Sequence, residues 1–167
     1  MAGDIKLKYG TAAVPAVTAL QSLASSSTFQ SGWTSAWIDN SSALALNSTV
    51  SANFFSGTTP TAGSIRVYAY AELPSGADPD LFSSGTEGVE GAVTLHDAEN
   101  FSGLIFLWSS DVDTTSDAPY PMPPRSVLQA FGFMPRKWAI YVAHDTVAAL
   151  KSAGQLVEVD HSIAQYT

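Results

Sequence analysis

Alternating apolar and polar side chains are the feature that most constrains the fold of this chain. In the segment ALALNSTVSANFF (43–55) most odd positions are polar. Apolar side chains stand at even positions, namely Leu44, Leu46, Val50, Ala52 and Phe54. Successive side chains of a β-strand point to opposite faces, so this period of two predicts a half-buried strand. The segment SIRVYAYAEL (64–73) repeats the pattern after a turn-rich connection, which predicts an antiparallel hairpin.

Further short segments have the composition of strands, and the run from Leu104 to Trp108 is apolar throughout. These segments are DIKLKYG (4–10), SAWID (35–39), GAVTLH (91–96), GLIFLW (103–108), SVLQAF (126–131), KWAIYVAH (137–144) and QLVEVDHSIA (155–164). Many short strands separated by Gly, Pro, Ser and Asp indicate a sandwich or a barrel. We therefore predict an all-β fold, a jelly-roll-like antiparallel β-sandwich forming a single domain over residues 1–167.

Two segments favour short helices. VPAVTALQSLASSS (14–27) has a proline where a first helical turn tolerates one, and DTVAALKSAG (145–154) begins with an N-cap residue and ends with glycine. Helices of one or two turns are marginal alone, and a strand-turn-strand path fits the second segment equally well. We expect at most one or two short helices, and we expect residues 1–12 to form an N-terminal arm or edge strand.

The charge of the chain limits its partners. Fifteen acidic residues and seven basic ones give a formal net charge of −8, which disfavours nucleic-acid phosphates and anionic lipid. No apolar run has the length of a signal peptide or the ~20 residues of a membrane span. The absence of cysteine excludes a disulfide framework, a thiolate zinc site and a cysteine nucleophile. We expect a soluble protein without a nucleic-acid or membrane partner.

Each histidine has an aspartate beside it: His96–Asp97, His144–Asp145 and Asp160–His161. Neighbours on a strand point to opposite faces, so adjacency in sequence opposes the side-chain contact that a catalytic relay needs. No H-x-H or H-x-x-x-H spacing supports a metal site. We interpret these histidines as strand-end residues and predict neither enzymatic activity nor a cofactor. A cupin-like metalloenzyme stays open as an alternative.

Two other groups could bind ligands. Asp111, Asp113 and Asp117 share one loop and offer the carboxylates that calcium prefers, although the EF-hand glycine and glutamate are missing. A solvated acidic turn is the alternative for this loop. Trp33, Trp37 and Tyr70 could line a carbohydrate groove if exposed, while packing in the core is the alternative.

Four segments carry a resemblance to a known family: DIKLKYGT (4–11), WIDNSSALALNSTVSANF (37–54), RVYAYAEL (66–73) and FGFMPRKWAIYVAHDTVAAL (131–150). In order and spacing they resemble the small acidic virion structural proteins of tailed bacteriophages, of the head decoration or cement type. The resemblance implies a compact β protein without catalytic residues. It also implies that the chain is made in the host bacterial cytoplasm, oligomerises and stabilises the assembled capsid.

The partner implied by this resemblance is the major capsid protein or another virion protein, and the implied assembly is a homo-oligomer such as a trimer. A tail, neck or baseplate protein is one alternative function. A carbohydrate-binding module on the virion surface is another. Low charge, 13% against about 25% in ordinary chains, is typical of a protein packed against partners.

The N-terminal strand is the predicted partner-binding site. It comprises Ile5, Lys6, Leu7, Lys8 and Tyr9. An edge strand with alternating lysines can add to a neighbouring sheet, and the lysines could contact an acidic partner. The alternative is that the lysines only protect the edge from aggregation.

Overall fold

The computed structural model describes residues 5–10, 13–42 and 44–166. Within these ranges the elements are β1 (Ile5–Tyr9), β2 (Ser31–Thr34), β3 (Ile38–Asp39), β4 (Asn47–Phe55), β5 (Gly63–Ala71), β6 (Phe82–Ser84), β7 (Gly91–Leu95), a 3₁₀ helix (Ala98–Gly103), β8 (Ile105–Val112), β9 (Pro119–Ser126), α1 (Val127–Phe131), β10 (Lys137–His144) and β11 (Leu156–Tyr166). Neither helical segment of the described chain has the length or apolar character needed to cross a membrane.

The strands form two antiparallel sheets. One has the order β1-β11-β4-β9, and the other has the order β6-β7-β2-β10-β5-β8, with β3 also paired to β10. Four pairs of neighbouring strands are nested in sequence, and successive pairs alternate between the two sheets. From the outermost to the innermost, these pairs are β1–β11, β2–β10, β4–β9 and β5–β8. This nesting is the topology of a jelly roll. The predicted all-β, single-domain sandwich is confirmed.

The main core lies between the two sheets and follows the predicted alternation. Along β4, Val50, Ala52 and Phe54 are buried while the residues between them are partly exposed. Leu44 and Leu46 were predicted to share this buried face, but they precede the strand and are 72% and 51% exposed. Strand periodicity therefore holds only inside the paired segment, where the opposite sheet covers one face.

A second apolar cluster covers the outer face of the larger sheet. Tyr68, Tyr70 and Tyr141 project from this face and pack against side chains that include Phe82 and Leu95. β10 is consequently buried from Trp138 to His144. The sequence alternation of β10 predicts only one buried face, because the residues between its large apolar ones are two small alanines and a tyrosine that carries a polar hydroxyl.

The predicted hairpin between 43–55 and 64–73 is wrong. β4 pairs with β11 and β9, whereas β5 pairs with β10 and β8 in the other sheet. Their apolar faces meet across the core instead of lying side by side. The turn-rich connection is thus an arch between sheets, and local composition alone does not distinguish an arch from a hairpin turn.

The helical segment differs from both predicted helices. Residues 14–27 and 145–154 form turns, bends and irregular chain, and SVLQAF (126–131), predicted as a strand, contains α1 instead. The Ser126 side chain accepts from the N–H of Gln129, and Gly132 closes the helix with φ 77°. An N-cap serine followed by a C′ glycine is a helix signal that the apolar pattern obscured.

The cap makes a small prediction. Ser126→Ala is expected to lower the free energy of unfolding by about 1 kcal/mol, because the N–H of Gln129 loses its acceptor. Urea unfolding followed by circular dichroism measures the change. Ser152→Ala, at an exposed position in a loop, is the matched control and should be neutral. Equal losses in both variants would contradict the capping role.

Candidate functional site

His144 lies at the end of β10 and is fully buried, not at a rim facing water. Its Nε2 lies 2.9 Å from the carbonyl oxygen of Leu23, and its Nδ1 lies 2.9 Å from the hydroxyl of Thr146. Burial lowers the pKa of His144, against the opposing effects of the Leu23 carbonyl and Asp145. A neutral ring that donates from Nε2 to Leu23 is an acceptor at Nδ1. The Thr146 hydroxyl faces Nδ1 and also lies 3.1 Å from the carbonyl oxygen of Ala148. Asp145 instead accepts from the N–H of Ser64, so the neighbouring pair makes no relay.

His161 makes the contact that most resembles a catalytic one. Its Nδ1 lies 2.7 Å from the hydroxyl oxygen of Ser48, and burial lowers its pKa. Ser48 is fully buried, however, and a nucleophile must be reached by its substrate. Asp160 is the preceding residue of the strand and belongs to its opposite face. The contact therefore joins β11 to β4, where His161 and Ser48 are directly paired.

His96 is exposed, and its Nε2 lies 3.4 Å from Oδ1 of Asp80. The three histidines thus occupy separate surroundings. Across the described ranges, no group of three or more His, Asp or Glu side chains is arranged to hold a metal ion. The geometry of those residues gives the cupin-like alternative no ligand set.

The candidate calcium loop is not assembled as a site. Asp113 accepts from the N–H of Thr115 at 2.7 Å, and hydrogen bonds led by this one lower the pKa of Asp113. Asp117 Oδ1 lies 3.6 Å from Nζ of Lys151. Asp111 belongs to the strand β8 and not to the loop. Two of the three carboxylates already have protein partners, which favours the solvated acidic turn.

Two of the three aromatic residues proposed for a sugar groove belong to the interior. Trp33 and Tyr70 are fully buried, and the half-buried Trp37 packs edge-on against Tyr70 with ring centroids 5.3 Å apart. The Tyr70 hydroxyl lies 2.7 Å from Oγ1 of Thr34 and accepts from the N–H of Gly88. Burial raises the pKa of Tyr70 to about 12. Buried rings cannot stack on sugars, so a groove built on Trp33 and Tyr70 is wrong.

β1 lies at the edge of the four-stranded sheet and carries the predicted partner-binding residues. Its five residues pair with 162–166 of β11 without a register shift. Leu7 is 55% exposed and Tyr9 is 67% exposed, and Lys6 and Lys8 are also exposed. An edge strand presents unpaired N–H and C=O groups on which another strand can form. This edge has the geometry that strand addition needs.

The other sheet edges are less suited to strand addition. β9, at the opposite edge of the same sheet, lacks the N–H donor at its prolines, which are Pro119, Pro121, Pro123 and Pro124. In the larger sheet, β6 has only three residues, and β8 pairs with β5 through a register shift. Short, proline-rich and bulged edges resist unwanted pairing. β1 is therefore the uninterrupted edge best able to receive a partner strand.

The proline-rich edge strand β9 was not predicted from the sequence. Four prolines in PYPMPPRS (119–126) argue against a central strand, and the composition of the segment is that of a connection. Proline is nevertheless compatible with an edge strand, and β9 occupies such an edge. The prolines are thus compatible with an edge strand, but only the observed strand order shows that this segment lies at an edge.

No protein-family model, no curated protein and no solved structure matches the chain. The structural grounds for a function are thus the strand order and the side-chain geometry of the described residues. Of these, the open edge at β1 is the feature that leads to an experiment.

Proposed function

We propose that this chain is a non-enzymatic structural protein that acts as a subunit of a larger assembly. The observation that carries the proposal is the open edge at β1, since the other strands that end a sheet, β6, β8 and β9, are short, bulged or rich in proline. A sheet with one protected edge and one continuous edge can add a partner strand at the continuous edge only. The buried or singly paired histidines are consistent with a structural role.

The assembly we propose is the virion of a tailed bacteriophage, with the chain as a head decoration or cement protein bound to the major capsid protein. The sequence resemblance supports this choice, and the jelly-roll topology agrees with it. Low charge supports close packing between subunits. A position in the tail, neck or baseplate is the nearest alternative, since the same features would suit it.

Mass spectrometry of purified virions tests the proposal. In particles of the phage that encodes the chain, banded on a density gradient, we expect the protein at a fixed ratio to the major capsid protein. Abundant host cytoplasmic proteins in the same fractions serve as the contamination control. Absence of the chain from washed particles would overturn the proposal.

Separated heads and tails then distinguish the two locations. We expect the chain to remain with DNA-filled heads after the tails have been removed, and a cryo-EM map should place its density on the outer shell. Recovery with the tail fraction alone would replace the decoration role with a tail or baseplate role.

A further inference from the structure

β11 extends beyond the strand that flanks it. Its residues 156–162 pair with β4, but residues 163–166 pair with β1 alone among the described strands. Residues 5–8 and 163–166 thus form a two-stranded ribbon at the end of the smaller sheet, called here the terminal ribbon. Both of its edges are open within the described part of the chain.

Hydrogen bonds at the base of the ribbon show which backbone groups point outward. The N–H of Gly10 donates to the carbonyl of His161, and the N–H of Leu46 donates to the carbonyl of Ser162. In antiparallel strands such groups alternate along each chain. Leu7 therefore directs its N–H and C=O to the open β1 edge. Ala164, two residues beyond Ser162, directs its own to the open β11 edge.

The terminal ribbon is poorly stabilised by the subunit itself. Two-stranded ribbons are marginal in water without a further strand or a packed face. Leu7 is 55% exposed, and Ala164, its partner in the ladder, is also exposed. Exposed apolar side chains, together with two rows of backbone groups that no other described strand pairs, are features of a surface that another chain covers.

We propose that terminal ribbons join copies of this chain head to tail: the β1 edge of one copy pairs antiparallel with residues 163–166 of the next. The incoming strand would continue the line of β4 beside β11. This inference identifies a second copy of the chain as the partner of the open β1 edge. It rests on the proposed function only in treating the chain as a subunit of an assembly.

Charge selects this arrangement over a two-fold pairing of β1 with itself. Registers that place Leu7 opposite Ile5, Leu7 or Tyr9 of a second copy set Lys6 opposite Lys6, Lys6 opposite Lys8, or Lys8 opposite Lys8. Like charges directly opposite each other destabilise a strand pair. Residues 163–166, IAQY, are uncharged and can face the lysines without repulsion. The pairing is therefore heterologous, the type of contact that closes into a ring when the rotation permits.

Two proline variants of the full-length chain test the proposal. Leu7→Pro removes the outward N–H of β1, and Ala164→Pro removes the outward N–H of β11, while neither touches the ladder within the ribbon. We expect the unmodified chain to form a closed oligomer in native mass spectrometry, and each variant alone to be a monomer. The matched controls Leu7→Ala and Ala164→Ser keep the N–H groups and should still assemble.

A mixture of the two proline variants gives the sharpest result. Each keeps one intact edge, so an equimolar mixture should form one-to-one heterodimers although neither variant assembles alone. An oligomer that survives Ala164→Pro, or an unmodified chain that is monomeric, would overturn the proposal. Circular dichroism verifies that both variants are folded.

Lys8→Glu decides the question even if a proline variant fails to fold. Under head-to-tail pairing the introduced carboxylate faces an uncharged segment, so the oligomer should be unchanged. Under two-fold pairing it would face Lys6 of the second copy, and a new dimer would contradict the proposal. These measurements use the isolated chain. A chain that is monomeric in solution but present in virions would therefore contradict only this inference. A chain that is oligomeric in solution but absent from virions would contradict only the proposed function.

Discussion

Trp138→Ala is expected to lower the free energy of unfolding by about 3–5 kcal/mol, which is among the largest effects of a core truncation. Trp138 is fully buried in the middle of the larger sheet, where it lies opposite Ala71 of β5 and Ile38 of β3. Alanine would leave a cavity between two sheets that are held in place by their ladders. A loss of this size shifts the melting temperature of a chain of this length by roughly 6–20 °C.

The Phe variants of two buried tryptophans separate packing from hydrogen bonding. Nε1 of Trp33 lies 2.8 Å from Oε1 of Glu90, whereas Nε1 of Trp138 is buried without a partner among the described residues. Phe removes the N–H in both cases, but only Trp33→Phe removes a hydrogen bond. We therefore expect Trp33→Phe to cost about 1–2 kcal/mol more than Trp138→Phe.

Urea unfolding followed by far-ultraviolet circular dichroism measures all three tryptophan variants without relying on indole fluorescence. Protein concentrations must be matched, because assembly would stabilise the folded state by mass action. A Trp138→Phe variant that loses as much stability as Trp33→Phe would show that packing alone sets the cost. A Trp138→Ala variant as stable as the parent would contradict the cavity argument itself.

The sequence predicts the sandwich because its signal is local. Val50, Ala52 and Phe54 alternate with polar residues whichever strand lies beside them, so a period of two is enough to identify β4. The neighbours of β4 are set by pairings with β9 and β11, which lie far along the chain. Long-range pairings leave no local trace, and the hairpin prediction was wrong for that reason.

The same limit applies to the candidate site. Alternating lysines identify β1 as an edge strand, since a central strand would bury them. No sequence pattern identifies the open side of β11 at Ala164, because the segment QLVEVDHSIA (155–164) has the composition of an ordinary strand along its whole length. Only the difference between the ranges that pair with β4 and with β1 shows where the ribbon begins. The burial of His144 was likewise not predictable from the local sequence, because Leu23, whose carbonyl oxygen contacts the ring, lies 121 residues away along the chain.

The stability of the folded protein is expected to fall as the pH drops below about 6.5. Burial lowers the pKa values of His144 and His161 below their unfolded value of 6.5. Between the lowered values and 6.5 the unfolded chain binds more protons than the folded one, so acidification favours unfolding. Above pH 6.5 both states are neutral at these residues, and their contribution is constant. Urea unfolding at pH 7.5 and at pH 5.5 measures the difference.

His144→Gln assigns this pH dependence to one ring. The amide can still donate to the carbonyl of Leu23 but does not titrate, so the variant should lose less stability on acidification than the parent. At pH 7.5 it should itself be less stable by about 1–3 kcal/mol, since the contact with Thr146 is lost in the core. His96→Gln, at an exposed ring, is the matched control and should retain the parent's acid sensitivity. If His144→Gln and the parent lose equal stability between pH 7.5 and 5.5, the buried ring does not produce the effect.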